Sequence, residues 1–311
     1  MRQASACKPT YRKYKDRASI LLMLAPTLLL FAAFCAYPLA YVIRTSFFEY
    51  NGFTAMKWLG LDNYLRALGD ESWWSAVWNT IQLGIGIPLL QIPVALVLAV
   101  VLNEPLKGRA FFRTFFFLPA ITSTAIMGLI FYFMFSSFNG IINGLLMRTG
   151  LIGMPIDWLG REWTAKFVIV LFSTWANAGF YMVLFLAALQ KIPRDVYEVA
   201  ATDGANALQI FFRITVPLLG QMFKIITMLS IVNAMKLFDT IKVLTGGGPG
   251  NRTEVMTMYI FRYFFEYNTG IMQIGYTSAA AVIGLLIVGI ISAVYYLSTK
   301  RISHGDETAG A

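Results

Sequence analysis

The sequence predicts an all-α polytopic membrane protein with six transmembrane helices. Its composition is 58% hydrophobic with only 13% charged residues, and its mean hydropathy is +0.64, which is far from a soluble domain. Six apolar runs are long enough, at about 1.5 Å per residue, to cross a hydrocarbon core of roughly 30 Å. Lysine and arginine favour alternate connecting segments, which by the positive-inside rule predicts that both termini are cytoplasmic.

The predicted order is a basic cytoplasmic tail, a transmembrane domain and a short cytoplasmic tail, residues 1–19, 20–301 and 302–311. The six predicted spans are residues 20–43, 76–102, 111–135, 166–189, 217–237 and 275–297. The first run is not interpreted as a cleaved signal peptide, because it is long and no small-x-small cleavage site follows it.

The second predicted span carries three amide side chains, Asn79, Gln82 and Gln91. Each would cost a few kcal/mol in hydrocarbon without a hydrogen-bond partner. We therefore predict that they bond to neighbouring helices, and a water-filled cavity between helices is the alternative.

Two loops on the predicted outer side have recognisable patterns. Residues 140–147 are amphipathic, which predicts a short surface helix. Residues 245–251 are rich in glycine and could be taken for a phosphate-binding loop. No Gly-Lys-Ser/Thr follows them, and ATP is on the other side of the membrane, so that interpretation is rejected.

A charged segment, residues 190–217, separates the fourth and fifth spans on the predicted inner side, and we call it the two-helix loop. Pro193 suits the first turn of a helix, and Asp195 and Glu198 have the spacing of a capping box. Gly204 tolerates any backbone angle and predicts a bend, after which a second short helix runs toward Pro217.

The two-helix loop resembles the cytoplasmic EAA loop of ABC importer permeases, and the surrounding sequence resembles the sugar-permease branch. The matching residues are Glu198-Val199-Ala200, then Gly204, then after nine residues Ile214-Thr215-Val216-Pro217. The chain departs from the pattern only by Val199 for alanine and Val216 for leucine. The resemblance implies a fold like that of type I ABC importer permeases, in which this loop docks on a separate ATPase. The residues implied in coupling are Tyr197, Glu198, Ala200, Ala201, Asp203, Gly204 and Pro217.

The same resemblance implies an assembly in a bacterial plasma membrane: a second permease, two ATPase subunits and an extracytoplasmic solute-binding protein. The cargo implied is a carbohydrate, with glycerol-phosphate or another solute as the alternative. The segment from Phe238 to Pro249 resembles the extracytoplasmic turn of sugar permeases. The residues expected to face the binding protein are Thr245, Gly247, Gly248 and Pro249.

Sugars bind amides and carboxylates through their hydroxyls and aromatic rings through their C–H patches. Candidates for such a lining lie in the outer half of spans four and five or just beyond: Asn177, Tyr181, Asn233, Lys236 and Asp239. Each could equally serve helix packing or interfacial anchoring.

Other function classes find little support in the residues. The net charge of +9 is spread along the chain rather than clustered among aromatics, so no nucleic-acid partner is predicted. The positions of Cys7, Cys35 and the sole histidine, His304, indicate neither a metal site nor histidine-based catalysis. The sequence has no phosphate loop with Gly-Lys-Ser/Thr, so a non-catalytic chain without a cofactor is predicted, with ATP bound by a partner subunit.

A stand-alone secondary transporter is a further alternative. It would normally carry coupling acids inside its spans, whereas the acids here lie in loops or at span edges.

Overall fold

The computed structural model describes residues 9–265 and 272–308, and helices dominate this part of the chain. The α-helices are α1 Pro9–Phe31, α2 Tyr37–Thr45, α3 Asp62–Leu68, α4 Glu71–Asn103, α5 Arg109–Ile121, α6 Thr124–Met134, α7 Ile141–Arg148, α8 Glu162–Leu189, α9 Arg194–Thr202, α10 Ala207–Ile210, α11 Val216–Leu218, α12 Gly220–Met235, α13 Asp239–Leu244, α14 Met256–Phe265 and α15 Ile274–Thr308. Of the predicted tails, residues 1–8 and 309–311 lie outside the described residues.

Smaller elements complete the described part. Two π-helical segments, Ala32–Ala36 and Phe211–Thr215, connect α1 to α2 and α10 to α11. Strands β1 (Phe48–Glu49) and β2 (Lys57–Trp58) form an antiparallel hairpin. The surface helix that the sequence predicts at residues 140–147 is α7.

Within the described residues, four helices are long and apolar enough to cross a membrane, and two bent helix pairs pass the same test together. The single helices are Ser19–Thr45, Glu71–Asn103, Glu162–Leu189 and Ile274–Thr299. The first bent pair is α5 with α6, at 96°, and the second joins Ala207–Leu218 to α12, at 70°. If each bent pair is one span, the total is the six that the sequence predicts.

The third and fifth predicted spans are therefore broken rather than straight. Helices α5 and α6 have 13 and 11 residues, so neither reaches the roughly 20 residues that a membrane crossing needs. The break follows Ile121, where Thr122 has an extended backbone with ψ of 151°. The fifth span does not begin at Pro217, because that proline lies in α11 and α12 begins at Gly220.

Helices α4 and α8 form the centre of the bundle. One buried apolar cluster joins them near Leu83 and Phe172, and a second joins them further along α4 near Ala95 and Phe185. A third cluster, which includes Trp73, packs α4 against α14 and α15. By contrast, the most apolar window of Ser19–Thr45 is not buried within the chain, which leaves it for lipid or another subunit.

Backbone contact between α5 and α8 depends on one glycine. A Cβ built on Gly179 would lie 1.9 Å from the carbonyl oxygen of Phe116 and 2.8 Å from the Cα of Phe117. No side chain fits there, so Gly179 sets how closely α5 approaches α8.

The three amides of the second span are hydrogen-bonded to other parts of the chain, as predicted, and Gln91 also lines a cavity between helices, which was the alternative. Asn79 Nδ2 donates to the carbonyl oxygen of Glu254 at 2.9 Å, and Gln91 Nε2 donates to that of Ser173 at 3.0 Å. Gln82 Oε1 accepts from Lys166 Nζ at 2.6 Å. These bonds remove the cost that an unpaired amide would have in an apolar surrounding.

The glycine-rich turn, residues 245–251, and the two-helix loop contact opposite ends of helix α4. Asn79 holds the segment after the glycine-rich turn, whereas Leu102 shares a buried cluster with Leu189 and Phe211 of the region around the two-helix loop. Asn79 and Leu102 are separated by roughly 35 Å at 1.5 Å per residue. The glycine-rich turn therefore lies at the amino end of α4 and the two-helix loop at its carboxyl end.

Candidate functional site

The two-helix loop bends at Gly204, as its sequence predicts. Helix α9 closes with a hydrogen bond from Gly204 N to the Ala201 oxygen at 3.1 Å and one from Ala205 N to the Ala200 oxygen at 3.0 Å, which is a Schellman motif. The motif needs a left-handed residue, and Gly204 has φ of +81°. No atom lies within 4 Å of a Cβ built on it, so the backbone angle rather than crowding selects glycine.

The capping box predicted at Asp195 and Glu198 is wrong. The residue before α9 is Pro193, whose side chain has no acceptor, and Asp195 already lies inside the first turn. The structure instead has a capping box at the second helix, where Asn206 Oδ1 accepts from Gln209 N and Gln209 Oε1 accepts from Asn206 N, each at 2.9 Å. This cap restarts the helix directly after the Gly204 bend.

The coupling candidates divide by exposure. The exposed members are Glu198, Ala201, Asp203, Gly204 and Pro217. Ala200 is buried, and half-buried Tyr197 lines a cavity behind the loop rather than its outer surface. An exposed carboxylate beside a rigid turn suits docking to another protein, and the coupling role itself stays a prediction.

All five candidate lining residues meet at one cavity of about 210 Å³, near the middle of α4 and α8. These residues are Asn177, Tyr181, Asn233, Lys236 and Asp239. Within the cavity, Asn233 Nδ2 donates to the Tyr181 hydroxyl oxygen at 3.1 Å. The structure therefore brings together residues from α8, α12, α13 and the turn between α12 and α13. Their role in binding substrate stays a prediction.

Further polar residues of the same cavity were missed as lining candidates, among them Gln91, Ser173 and Ser230. Ser230 Oγ donates to Gln91 Oε1 at 2.7 Å, which ties α12 to α4. Ser173 is buried, and its Oγ has no hydrogen-bond partner. The sequence signalled Gln91 as a polar residue in a span, but the two serines are small and common in helices, so nothing marked them.

Both walls of the cavity contain interrupted helices. Thr122 and Thr124, on either side of the α5–α6 break, line it, and so do Lys236 and Phe238, between α12 and α13. Irregular backbone at membrane depth is tolerated where it lines a cavity, because there its polar groups can find partners. Broken helices near the middle of a bundle are also typical of solute sites in transporters.

The glycine-rich turn is folded against its own neighbours. Thr245 Oγ1 and Thr253 Oγ1 are 2.8 Å apart, and Thr253 Oγ1 donates to the Gly248 oxygen. Of the four residues expected to face a binding protein, Gly247 is buried and Thr245, Gly248 and Pro249 are half-buried. The exposed residues of this turn are Gly246, Gly250 and Asn251.

Residues 91–304, well over half of the chain, match the family described as the binding-protein-dependent transport system inner membrane component. The chain belongs to this family. We refer to it below as the permease.

Full-length relatives support the assignment. The lactose transport system permease protein LacF of Rhizobium radiobacter is 31% identical over 301 residues, which cover 96% of this chain and 99% of LacF. The trehalose/maltose transport system permease protein MalF of Thermococcus litoralis is 34% identical over 91% of this chain and 94% of MalF.

The fold also occurs in a solved transporter. The structure of a bacterial alginate ABC transporter in complex with an alginate pentasaccharide-bound periplasmic protein contains a chain with a TM-score of 0.79 to the permease. The two chains are 22% identical, and the match covers 95% of the permease and 98% of that chain. The predicted all-α polytopic fold is therefore confirmed.

The permease carries a polar cluster at the amino end of α4. Asp70 caps α4 through Oδ1, and its Oδ2 accepts from the Tyr259 and Tyr276 hydroxyls at 2.6 and 2.7 Å. Burial raises the pKa of Asp70, but the hydrogen bonds from both tyrosines and two backbone amides outweigh it and hold the pKa below its ordinary value. The carboxylate therefore joins α4, α14 and α15 in its charged form.

Proposed function

We propose that the permease is the membrane-spanning subunit of an ATP-driven importer that carries an oligosaccharide or a related sugar. The observation that carries this proposal is the single cavity, near the middle of the bundle, where the five candidate residues meet. The names of the relatives, with lactose and trehalose/maltose as cargo, support a carbohydrate. Glycerol-phosphate or another solute is the alternative.

The chemistry of the cavity suits a polyhydroxylated solute. Amide groups of Asn177 and Asn233 both donate and accept hydrogen bonds, and the Tyr181 ring offers a phenol beside an apolar face. Lys236 and Asp239 add one charge of each sign, so their formal charges cancel. A neutral sugar with hydroxyls on several sides fits this combination better than an anion does.

In this proposal a partner ATPase supplies the energy for transport. Glu198 lies on α9, at the same end of the bundle as the carboxyl end of α4, and its carboxylate is exposed. In the proposal this carboxylate pairs with a basic residue of a cytosolic ATPase that binds and hydrolyses ATP. A second permease and a second ATPase complete the assembly, and the permease itself is non-catalytic. Closure of the ATPases then rotates the helices around the cavity as rigid bodies.

The proposed orientation places the two-helix loop and both termini in the cytoplasm of a bacterium. The amino-terminal tail, whose six lysines and arginines face a single acid, supports this placement. The glycine-rich turn, roughly 35 Å away along α4, then faces an extracytoplasmic solute-binding protein. The periplasmic protein in the alginate transporter complex supports a partner of this kind.

The test uses the transporter purified through a tag on the permease and reconstituted in liposomes with its copurifying subunits. Glu198→Lys should leave the permease folded but abolish the substrate-stimulated ATPase, because it places a like charge against the proposed basic partner. Asp195→Lys is the matched control, since Asp195 is an exposed acid of the same helix.

Three results would count against the proposal. Retained stimulation in Glu198→Lys would remove this residue as the anchor. Equal loss in Asp195→Lys would assign the effect to the general charge of α9. Uptake of lactose or maltose that proceeds without ATP hydrolysis would reject an ATP-driven importer and favour a stand-alone transporter.

A further inference from the structure

A second, larger cavity of about 920 Å³ lies at the carboxyl end of α4, behind the two-helix loop. Its walls come from the carboxyl ends of α4 and α8, the amino end of α5, and the α9–α11 region. The volume falls within the roughly 300–1,000 Å³ that small-molecule sites occupy. This cavity is separate from the one that the candidate lining residues share, since no residue lines both, although α4, α5 and α8 contribute to each.

Three arginines line this second cavity: Arg109, Arg113 and Arg194. Glu104 also lines it, but among the described residues no ion pair joins it to any of the three. The formal charge of the lining is therefore positive, and no carboxylate of the described residues lies within ion-pair distance of these arginines. A concave surface of one sign concentrates ions of the opposite sign.

The guanidinium group of Arg113 is only partly hydrogen-bonded. One of its terminal nitrogens donates to the Leu102 carbonyl oxygen at 2.7 Å, which holds the side chain at the end of α4. Its Nε is buried and has no hydrogen-bond partner. An oxygen-rich anion in the cavity would be held by the terminal nitrogens of the guanidinium, which can donate further hydrogen bonds.

The rest of the lining is largely apolar, with Val100, Leu189, Ile192 and Phe211 among its residues. The cavity thus combines cationic side chains with apolar ones. A free inorganic anion would use only the cationic side chains, whereas a lipid would contact both. The cavity also lies where α4 and α8 end and α5 begins, and transmembrane helices typically end near the lipid headgroups. Basic pockets between transmembrane helices at this depth suit anionic headgroups.

We propose that this cavity is a binding site for the phosphate headgroup of an anionic phospholipid. Arginine forks grip the phosphate oxygens, with Arg109 and Arg194 approaching from α5 and α9. The apolar residues receive the glycerol and the first carbons of the acyl chains. Because Arg194 begins α9, the bound lipid would brace the two-helix loop against α5. The proposal requires only that the permease lies in a bilayer, and it does not depend on the identity of the transported solute.

The test measures lipid binding to the full-length permease by native mass spectrometry in detergent. Dioleoyl-phosphatidylglycerol is titrated against dioleoyl-phosphatidylcholine, which has the same acyl chains and no net charge. We expect a saturable phosphatidylglycerol adduct, and we expect Arg109→Gln/Arg194→Gln to weaken it by about tenfold or more. Arg113 is left in place because it bonds to Leu102.

The matched control is Arg148→Gln/Arg161→Gln, which removes the same charge from two exposed arginines away from this cavity. This variant should bind phosphatidylglycerol like the wild type. Equal weakening in both double variants would overturn the site, since it would show attraction to overall charge. Arg109→Lys/Arg194→Lys keeps the charge and should bind with intermediate affinity, so it guards against a folding defect in the glutamine variant.

Two further arms distinguish the source of the phosphate and the class of partner. Inorganic phosphate at millimolar concentration should not displace the lipid, and displacement would assign the site to a soluble phosphate. Unchanged phosphatidylglycerol binding in Arg109→Gln/Arg194→Gln, with loss of a copurifying subunit, would assign the arginines to a protein partner and overturn the lipid proposal.

Discussion

Because α5 and α8 touch through their backbones at Gly179, we predict that Gly179→Ala destabilises the permease. Helix propensity alone would predict that the same substitution stabilises it. Gly179→Ala places a methyl carbon 1.9 Å from the Phe116 oxygen, where ordinary contacts begin at 3.4 Å. Helix α5 would have to move by about 1.5 Å, because the obstruction is backbone that cannot rotate away. Replacing a helical glycine by alanine otherwise stabilises by about 1 kcal/mol.

The overpacking cost should dominate this balance. Forcing extra carbon into a packed interface costs about 1–3 kcal/mol, and a clash with rigid backbone belongs at the upper end of that range. Subtracting the gain of about 1 kcal/mol in helix propensity leaves a net loss of about 2 kcal/mol. Since α5 ends at the residues that line the central cavity, its displacement should also impair uptake.

The assay heats the purified permease in one detergent and measures the fraction that stays monodisperse, which reports thermal unfolding. Gly289→Ala is the control, because Gly289 lies in α15 and no atom is within 4 Å of a Cβ built on it. Gly179→Ala should unfold several degrees below the wild type, and Gly289→Ala should not. Equal midpoints for the two variants would refute the argument that α5 and α8 touch through their backbones at this residue.

Two other residues give predictions of different physical origin. At Gly204, the left-handed φ of +81° alone should penalise a side chain by about 1–2 kcal/mol, so stability and subunit assembly should fall in the order asparagine, alanine, valine. Gly220→Ala, equally uncrowded but without a positive φ, should be neutral, and a loss as large as that of Gly204→Ala would contradict the backbone argument. Asp70→Asn should destabilise by about 1–2 kcal/mol at neutral pH, because it weakens the bonds from the Tyr259 and Tyr276 hydroxyls. Since the pKa of Asp70 is lowered, this stabilisation is present above the ordinary carboxyl value of 3.8 and is lost as the pH falls below it. The unfolding midpoints of the wild type and Asp70→Asn should therefore converge in acid. A difference that stays constant with pH would show that the charge of Asp70 does not stabilise the fold.

Local signals in the sequence carried the broad architecture. Hydropathy depends only on the residues within a run, so the four long spans could be predicted within a few residues at most ends. The bend at Gly204 was likewise predictable, because a left-handed turn between two helices favours glycine over any residue with a Cβ. The capping box was misplaced at Asp195 because the spacing of a motif does not say which residue begins the helix.

The candidate site was only partly accessible from the sequence. Polar residues in spans were recognisable as costly, which is why Asn177 and Asn233 stood out. Nothing local distinguished Ser173 or Ser230, since a hydroxyl in a helix can bond to its own backbone and needs no special surrounding. That these residues and Gln91 share one cavity depends on how α4, α8 and α12 pack.

The sequence by itself determined a polytopic, all-helical chain with a bent polar loop between two spans, because apolar runs and left-handed glycines act over a few residues. Tertiary structure decided the closeness of α5 to α8 at Gly179, the breaks beside the central cavity, and the gathering of Arg109, Arg113 and Arg194 around a second one. These features join residues that are distant along the chain, so they exist only once the helices have packed.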